Sequence, residues 1–177
     1  MFKKISACAV LSLLSSFAAE LYAVPSDIYL VRHAEKLKSA DKDPQLSPCG
    51  VAQAKAMARL IPTALSTIYH SGYQRTQQTA AQIGLTQPKA KLQSYNPADL
   101  TSLAATIQRQ DSALLVVGHS NTTPELIHLL SKLPAPNIAE QDYGVLYQLK
   151  HSAQGYRLLS FTIEQPDICV APNSKNL

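Results

Sequence analysis

Two histidines and two arginines follow short apolar runs in this sequence, and their chemistry suits a phosphoryl group. Arg32 and His33 come directly after one run. His119 comes after another, and Arg75 lies shortly beyond a third. An arginine guanidinium matches the oxygens of a phosphate, and a neutral histidine ring can attack phosphorus through one nitrogen while the other nitrogen donates its proton to a fixed acceptor. The four residues therefore predict a site for phosphoryl transfer.

Apolar strands alternate with amphipathic helices along the chain, and this alternation would position the four residues. Strands are expected at about 27–32, 66–71, 90–95 and 112–120, and two more share 144–164. Helices are expected at about 51–65, 72–84, 99–110 and 123–133. Ser47 is a possible N-cap of the first helix, with Pro48 in its first turn. The pattern predicts an α/β fold, a three-layer sandwich with a mostly parallel central sheet flanked by helices. Ligands of such sheets collect at the carboxyl ends of the strands.

Residues 1–23 have the pattern of a secretory signal peptide. Two lysines form a basic start, an apolar run too short to span a bilayer comfortably follows, and Ala23 could be the last residue before cleavage. Cleavage a few residues earlier, or an uncleaved N-terminal anchor, are the alternatives. Residues 24–177 are then expected to form a single domain that is periplasmic or secreted, with no stable membrane insertion.

Charge and cysteine content narrow the function further. The 177 residues include 16 lysines and arginines and 12 aspartates and glutamates, and these charges form no block, so a nucleic-acid surface has no support. Cys49 and Cys169 remain once the signal peptide is removed. They could form a disulfide in an oxidising compartment, but two separate thiols agree equally well with the sequence. Their spacing is not that of metal ligands.

Four segments resemble, in order, the signature segments of one family. "LVRHAEK" resembles an Arg-His-Gly signature, and "PQLSPCGVAQA" resembles a Leu-Thr/Ser-x-x-Gly segment. "SGYQRTQQTA" resembles a Ser-x-x-x-Arg-Ala/Thr-x-x-Thr segment, and "VVGHSN" resembles a late Gly-His motif. Through these segments the chain is similar to the histidine phosphatase superfamily, branch 1, with its phosphoglycerate-mutase-like fold. Ala34 is a departure, because the signature usually has glycine there.

The resemblance implies a role for each matching residue. His33 would be the nucleophile that becomes phosphohistidine, and His119 would take part in catalysis. The phosphate pocket would be formed by Arg32, Arg75, His119 and Asn121. The resemblance implies no metal and no other cofactor.

The acid that protonates the leaving group is harder to assign. In one branch of the family an aspartate follows the late histidine, but Ser120 takes that place here. Asp99 is the only carboxylate in the segment 76–110, and it is the first candidate for a catalytic acid. Its position near the start of a predicted helix favours a capping role equally. Glu35 and Glu125 are the alternatives.

Together these inferences predict an exported phosphatase that hydrolyses phosphomonoesters through a covalent phosphohistidine intermediate. Its partner would be a small-molecule phosphorylated substrate rather than nucleic acid. Two alternatives remain at this stage. One is a phosphatase of phosphohistidine proteins, and the other is an inactive phosphate-binding protein of the cell envelope.

Overall fold

The computed structural model describes residues 24–170. The predicted signal peptide, residues 1–23, lies outside this part of the chain, as do residues 171–177. Within residues 24–170 no helix is both long enough and apolar enough to cross a membrane.

One mixed sheet forms the centre of the described chain. Its six strands are β1 (Asp27–Arg32), β2 (Thr67–Ser71), β3 (Lys91–Tyr95), β4 (Leu114–Gly118), β5 (Val145–Ser152) and β6 (Gly155–Thr162). They lie in the order β3-β2-β4-β1-β5-β6. The first four in this order run parallel, whereas β5 and β6 pair antiparallel. The apolar strand β4 is buried along its whole length between two parallel neighbours, as such strands usually are.

Helices cover both faces of this sheet. Within residues 24–170 the α-helices are α1 (Pro48–Arg59), α2 (Gln74–Gly84), α3 (Leu100–Ile107) and α4 (Thr122–Ser131). Side chains of β1 alternate between the two faces. Tyr29 and Val31 belong to a core that includes α1 and α2, while Ile28 and Leu30 belong to a second core that includes α3 and α4. The predicted α/β sandwich with a mostly parallel sheet is therefore confirmed.

The first helix ends earlier than predicted. It ends at Arg59 because Pro62 follows closely, and proline has no N–H to donate and disfavours a helical conformation in the residue before it. Its start agrees with the prediction: Ser47 is the N-cap and Pro48 is the first residue of the helix, and the Ser47 hydroxyl accepts a hydrogen bond from the Gly50 backbone N–H at 2.9 Å.

The start of α1 is packed tightly against the loop that follows β1. A Cβ atom on Gly50 would lie only 1.9 Å from the carbonyl oxygen of Glu35, so a larger residue would force the two segments apart. The Ser47 backbone N–H donates to the same oxygen at 3.0 Å. The Ser47 hydroxyl also donates to the Glu35 carboxylate at 2.7 Å. These contacts fix the loop that begins with His33.

A disulfide joins Cys49, in the first turn of α1, to Cys169, in a short 3-10 helix near the end of the described chain. The sequence left open whether these residues pair or remain separate thiols, and the structure shows the disulfide. The bond fastens the segment that follows β6 to α1. A disulfide is typical of proteins that mature in an oxidising compartment.

Replacing Cys49 and Cys169 by alanine is expected to lower the free energy of unfolding by up to about 4 to 5 kcal/mol, because a bond that closes a long loop restricts the unfolded chain. The bonded residues are 120 positions apart. Urea unfolding of the oxidised protein and of the Cys49→Ala/Cys169→Ala variant measures the difference. The reduced wild-type protein is the matched control and should unfold at the same urea concentration as the variant. Equal midpoints for all three samples would show that the bond adds no stability.

Candidate active site

The carboxyl ends of β1, β2 and β4 lie side by side, and the residues beyond them open into one cavity. The His33 backbone N–H donates to the Gly118 carbonyl at 2.9 Å, which holds the chain after β1 to the end of β4. The cavity has a volume of about 390 Å³. Its lining residues are His33, Lys36, Tyr73, Arg75, Pro97, Ala98, His119, Ser120, Asn121, Thr122 and Glu140. Four of the predicted site residues therefore meet here: His33, Arg75, His119 and Asn121.

His33 is buried in the wall of this cavity with one ring nitrogen already engaged. Its Nδ1 lies 2.8 Å from the Ala34 carbonyl oxygen. Because a carbonyl only accepts hydrogen bonds, Nδ1 carries the proton and Nε2 keeps its lone pair. Burial lowers the pKa of His33 to about 3, and the positive charges of Arg32 and Arg75 act in the same direction. The ring is therefore neutral at neutral pH, in the form that can attack phosphorus.

The Nε2 side of the His119 ring is fixed by hydrogen bonds through two hydroxyl groups. Its Nε2 lies 2.8 Å from the Ser71 hydroxyl, which lies 2.9 Å from the Thr76 hydroxyl. Thr76 gives its own proton to a carbonyl, that of Ser71 at 2.7 Å or that of Tyr73 at 2.8 Å. Ser71 must then donate to Thr76, so that Nε2 of His119 donates to Ser71. Burial lowers the pKa of His119 to about 4, with the charge of Arg75 as the next cause.

The loop that carries His119 depends on a glycine. A Cβ atom on Gly118 would lie 2.8 Å from the Thr123 hydroxyl and 2.9 Å from the Thr122 hydroxyl, so a side chain there would collide with the start of α4. The close approach lets the Thr122 hydroxyl accept a hydrogen bond from the His119 backbone at 2.9 Å. Asn121 precedes the first residue of α4, so the positive end of this helix lies at the cavity, where it favours an anion.

Arg75 presents a largely buried guanidinium to the cavity. Its charge is paired with Asp43 at 3.4 Å, and its Cζ lies 4.3 Å from the centre of the Tyr73 ring. Within the described residues, its buried Nε finds no hydrogen-bond partner. A buried donor without an acceptor is unfavourable by about 1 to 3 kcal/mol. An anion in the cavity would remove this cost.

The terminal nitrogens of Arg32 bind protein groups, and its predicted role as a phosphate ligand stays a prediction. Arg32 is only 4% exposed and is not among the residues that line the cavity. One terminal nitrogen donates to the Ala139 carbonyl at 2.6 Å and to the Asp142 carbonyl at 3.2 Å. The other donates to the Glu140 carboxylate at 2.9 Å, and the guanidinium stacks over Tyr143. The buried Nε of Arg32 has no hydrogen-bond partner among residues 24–170. Because both terminal nitrogens already donate to protein groups, the predicted phosphate contact would come from Nε.

The three predicted candidates for the catalytic acid occupy other positions. Asp99 caps α3, where its carboxylate accepts from the Ser102 backbone at 3.1 Å and from the Ser102 hydroxyl at 2.7 Å. These bonds lower its pKa, and Asp99 lines a neighbouring cavity rather than that of His33. Glu35 accepts from Ser47, and Glu125 lies in the first turn of α4. The observed contacts of Asp99 are those of a cap, and its catalytic role stays a prediction.

Three further lining residues with ionisable side chains were not predicted from the sequence as site residues: Lys36, Tyr73 and Glu140. Lys36 and Tyr73 stand within the quoted motifs, three and two positions from His33 and Arg75, so proximity in the chain was an available signal. Glu140 belongs to the segment between α4 and β5, far from either motif. Only the folded chain brings it to the cavity.

Within residues 24–170, no three histidine, cysteine, aspartate or glutamate side chains lie close enough together to hold a metal ion. The arginines and the lysine at the cavity would oppose a cation and favour an anion.

Comparison with known proteins agrees with the fold. The family model described as histidine phosphatase superfamily (branch 1) matches residues 28–95. Among curated proteins no match was found. The protein histidine phosphatase SixA, solved with tungstate, is 15% identical with a TM-score of 0.57, and the alignment covers 77% of this chain and 96% of that one.

Two other solved structures share the architecture. Phosphoglycerate mutase from Plasmodium falciparum is 22% identical with a TM-score of 0.54, and 80% of this chain and 94% of that one are covered. Mycobacterial glucosyl-3-phosphoglycerate phosphatase, solved with VO3, is 15% identical with a TM-score of 0.59. The alignment covers 78% of this chain and 100% of that one. At such identities the likeness establishes the fold, which is phosphoglycerate-mutase-like. With the match over 28–95, the predicted resemblance to the histidine phosphatase superfamily, branch 1, is confirmed.

The lowered pKa values of His33 and His119 predict a pH-dependent stability. The unfolded chain protonates histidine near pH 6.5, whereas folded His33 and His119 stay neutral down to about pH 3 and about pH 4. The unfolded state therefore binds more protons in this window, and the free energy of unfolding should fall as the pH falls through it. Urea unfolding between pH 7.5 and 4 measures the slope.

The variant His33→Gln isolates the contribution of one ring. At pH 7.5 the difference in free energy of unfolding between the variant and wild type gives the structural cost of the substitution. As the pH falls, wild type should lose more stability than the variant, so this difference should shift in favour of the variant. A difference that stays constant over the range would show that His33 titrates alike in the folded and unfolded chain.

Proposed function

We propose that the protein is a phosphatase that hydrolyses phosphomonoesters through a covalent phosphohistidine intermediate on His33. The observation that carries this proposal is the fixed His33 ring. Its Nδ1 donates to the Ala34 carbonyl, its Nε2 makes no hydrogen bond within residues 24–170, and its low pKa keeps the ring neutral. A strand end fixes this ring in place, and a nucleophile gains from such restricted freedom. Arg75 and His119 on the same cavity wall supply groups that suit phosphoryl oxygens.

The reaction would proceed in two steps. Nε2 of His33 forms a bond to phosphorus while the bond to the leaving oxygen breaks, and the positive imidazolium is stabilised by the Ala34 carbonyl at Nδ1. Water then attacks phosphorus, the N–P bond breaks, and inorganic phosphate leaves. No step requires a metal ion.

Two neighbours would support the transferring group. Nε of Arg75, which lacks a partner among the described residues, donates to a phosphoryl oxygen. The dianion raises the pKa of His119 from its low value in the empty cavity, so that the ring takes up a proton and stabilises negative charge in the transition state. Asn121 and the start of α4 complete the anion site.

Export is part of the proposal, and the disulfide between Cys49 and Cys169 supports it. An exported protein is separated from cytoplasmic phosphorelay proteins, which favours a small-molecule phosphorylated substrate over a phosphohistidine protein. The cavity of about 390 Å³ suits a ligand of that size. The alternative of an inactive phosphate-binding envelope protein makes the opposite prediction in the first experiment below.

The variant His33→Ala should lose turnover of an aryl phosphate by about a thousandfold or more, because no other group replaces the nucleophile. His119→Ala should lower the rate about a hundredfold while phosphate still attaches to His33. Rapid quenching with phosphorus-labelled substrate, followed by peptide mapping, locates the intermediate. All assays contain a chelator, so that metal-dependent hydrolysis is excluded.

His70→Ala is the matched control. The His70 ring has the same local geometry, with Nδ1 2.8 Å from the carbonyl of the next residue, but it does not line the cavity. This variant should keep near-normal turnover. Label on another residue, or full activity of His33→Ala, would contradict the mechanism. A wild-type protein that binds phosphate without turnover would be the inactive binding protein instead.

Export is expected to remove residues 1–23, and intact-mass measurement of the protein recovered from the periplasm of an expressing bacterium tests this. The expected species begins near Val24. A matched chain that starts at Val24 after an initiator methionine should remain in the cytoplasm. Recovery of the full chain with Met1 still attached, or its retention inside the cell, would count against export.

A further inference from the structure

We infer that Glu140 transfers the proton in both steps of the reaction, as acid towards the leaving oxygen and as base towards the attacking water. The inference rests on the proposed function and assigns the group that the sequence left open. It begins from position: Glu140 lines the cavity that also contains His33 and His119. Asp99, Glu35 and Glu125 do not line that cavity.

The backbone on both sides of Glu140 is fixed, although its side chain is 78% exposed. Buried Arg32 holds the carbonyls of Ala139 and Asp142, and its guanidinium lies 4.4 Å from the centre of the Tyr143 ring. The Asp142 backbone N–H donates back to the Ala139 carbonyl at 3.0 Å. An anchored backbone with a solvent-exposed carboxylate suits a group that must exchange protons with water between steps.

The contacts of the carboxylate connect it directly to the phosphate side of the cavity. It accepts from Arg32 at 2.9 Å and from the Ser120 hydroxyl, and Ser120 is the residue after His119. The other carboxylate near the cavity, Asp43, accepts from Arg75 and from the Gln74 backbone and does not line the cavity. Glu140 is therefore the carboxylate of the described chain best placed to reach a leaving oxygen.

Its ionisation can respond to the substrate. In the empty cavity the hydrogen bond from Ser120 lowers the pKa of Glu140, and Arg32 acts in the same direction. A phosphoryl dianion that enters the cavity competes for the same positive charges and repels the carboxylate, and both effects favour protonation. Once the phosphoryl group is on His33, the ionised carboxylate is again available as a base.

Glu140 gives up one proton and takes back one proton in each turnover. In the first step the Glu140 carboxyl gives its proton to the leaving oxygen as the P–O bond breaks and the N–P bond to His33 forms. In the second step the carboxylate takes a proton from water as the water oxygen bonds to phosphorus. The N–P bond breaks, its electron pair returns to Nε2, and Glu140 ends protonated, as it began.

The test compares Glu140→Gln with Asp99→Asn and Glu125→Gln on two substrates of different leaving ability, 4-nitrophenyl phosphate and glycerol 2-phosphate. Glu140→Gln should lower kcat/KM for the glycerol ester about 10²- to 10⁴-fold but for the nitrophenyl ester less than tenfold, because nitrophenolate leaves without protonation. With the nitrophenyl ester it should also release a burst of product and accumulate phosphohistidine, because the second step has lost its base.

Asp99→Asn and Glu125→Gln test the competing assignments of the acid and should show neither the unequal loss on the two esters nor the accumulation of phosphohistidine. The Glu140→Ala variant tests the function of the carboxylate apart from the contact with Arg32: added formate should restore its turnover, whereas formate should not accelerate Asp99→Ala. An equal loss on both esters without phosphohistidine accumulation, or the leaving-group signature in Asp99→Asn, would overturn the role of Glu140. Absence of phosphohistidine in the wild-type protein would instead overturn the proposed function on which the role rests.

Discussion

The hydrogen bond from the His33 backbone to the Gly118 carbonyl is the contact around which the site is arranged. It fastens the first residue after β1 to the last residue of β4, and the ring centroids of His33 and His119 consequently lie 5.4 Å apart. Both strands are buried on both faces, so neither can slide without moving two cores. Residues that are far apart in the sequence are therefore held at a separation that suits one phosphoryl group.

The two arginines near the cavity have different functions, although the sequence presents them as equivalent. Arg75 faces the cavity, with its charge shared between Asp43 and the Tyr73 ring. Arg32 directs its terminal nitrogens to the segment that carries Glu140. Arginine suits this second task because its planar fork can hold two carbonyls and a carboxylate at once. Arg75 thus presents its charge to the cavity, and Arg32 holds the segment that carries Glu140.

Much of the fold could be predicted from the sequence because its signals are local. The alternation of apolar strands with amphipathic helices predicted every strand near its observed position. Because ligands lie at the carboxyl ends of parallel strands, four residues were predicted to share one site, and they line one cavity: His33, Arg75, His119 and Asn121. The contacts of Arg32 were not predictable, because its partners lie more than a hundred residues away in a turn-rich segment. The pairing of the two cysteines could not be predicted for a similar reason, because the sequence gives no distance between them.

The disulfide also sets an order of events during synthesis of the protein. Cys49 leaves the ribosome 120 residues before its partner, when β1 is complete but α1 has only begun and the other five strands of the sheet have still to appear. Throughout that interval its thiol is open to other cysteines, including those of neighbouring nascent chains. Covalent closure is consequently among the last steps of maturation, and a chain truncated between Cys49 and Cys169 lacks the partner that Cys49 needs for this bond.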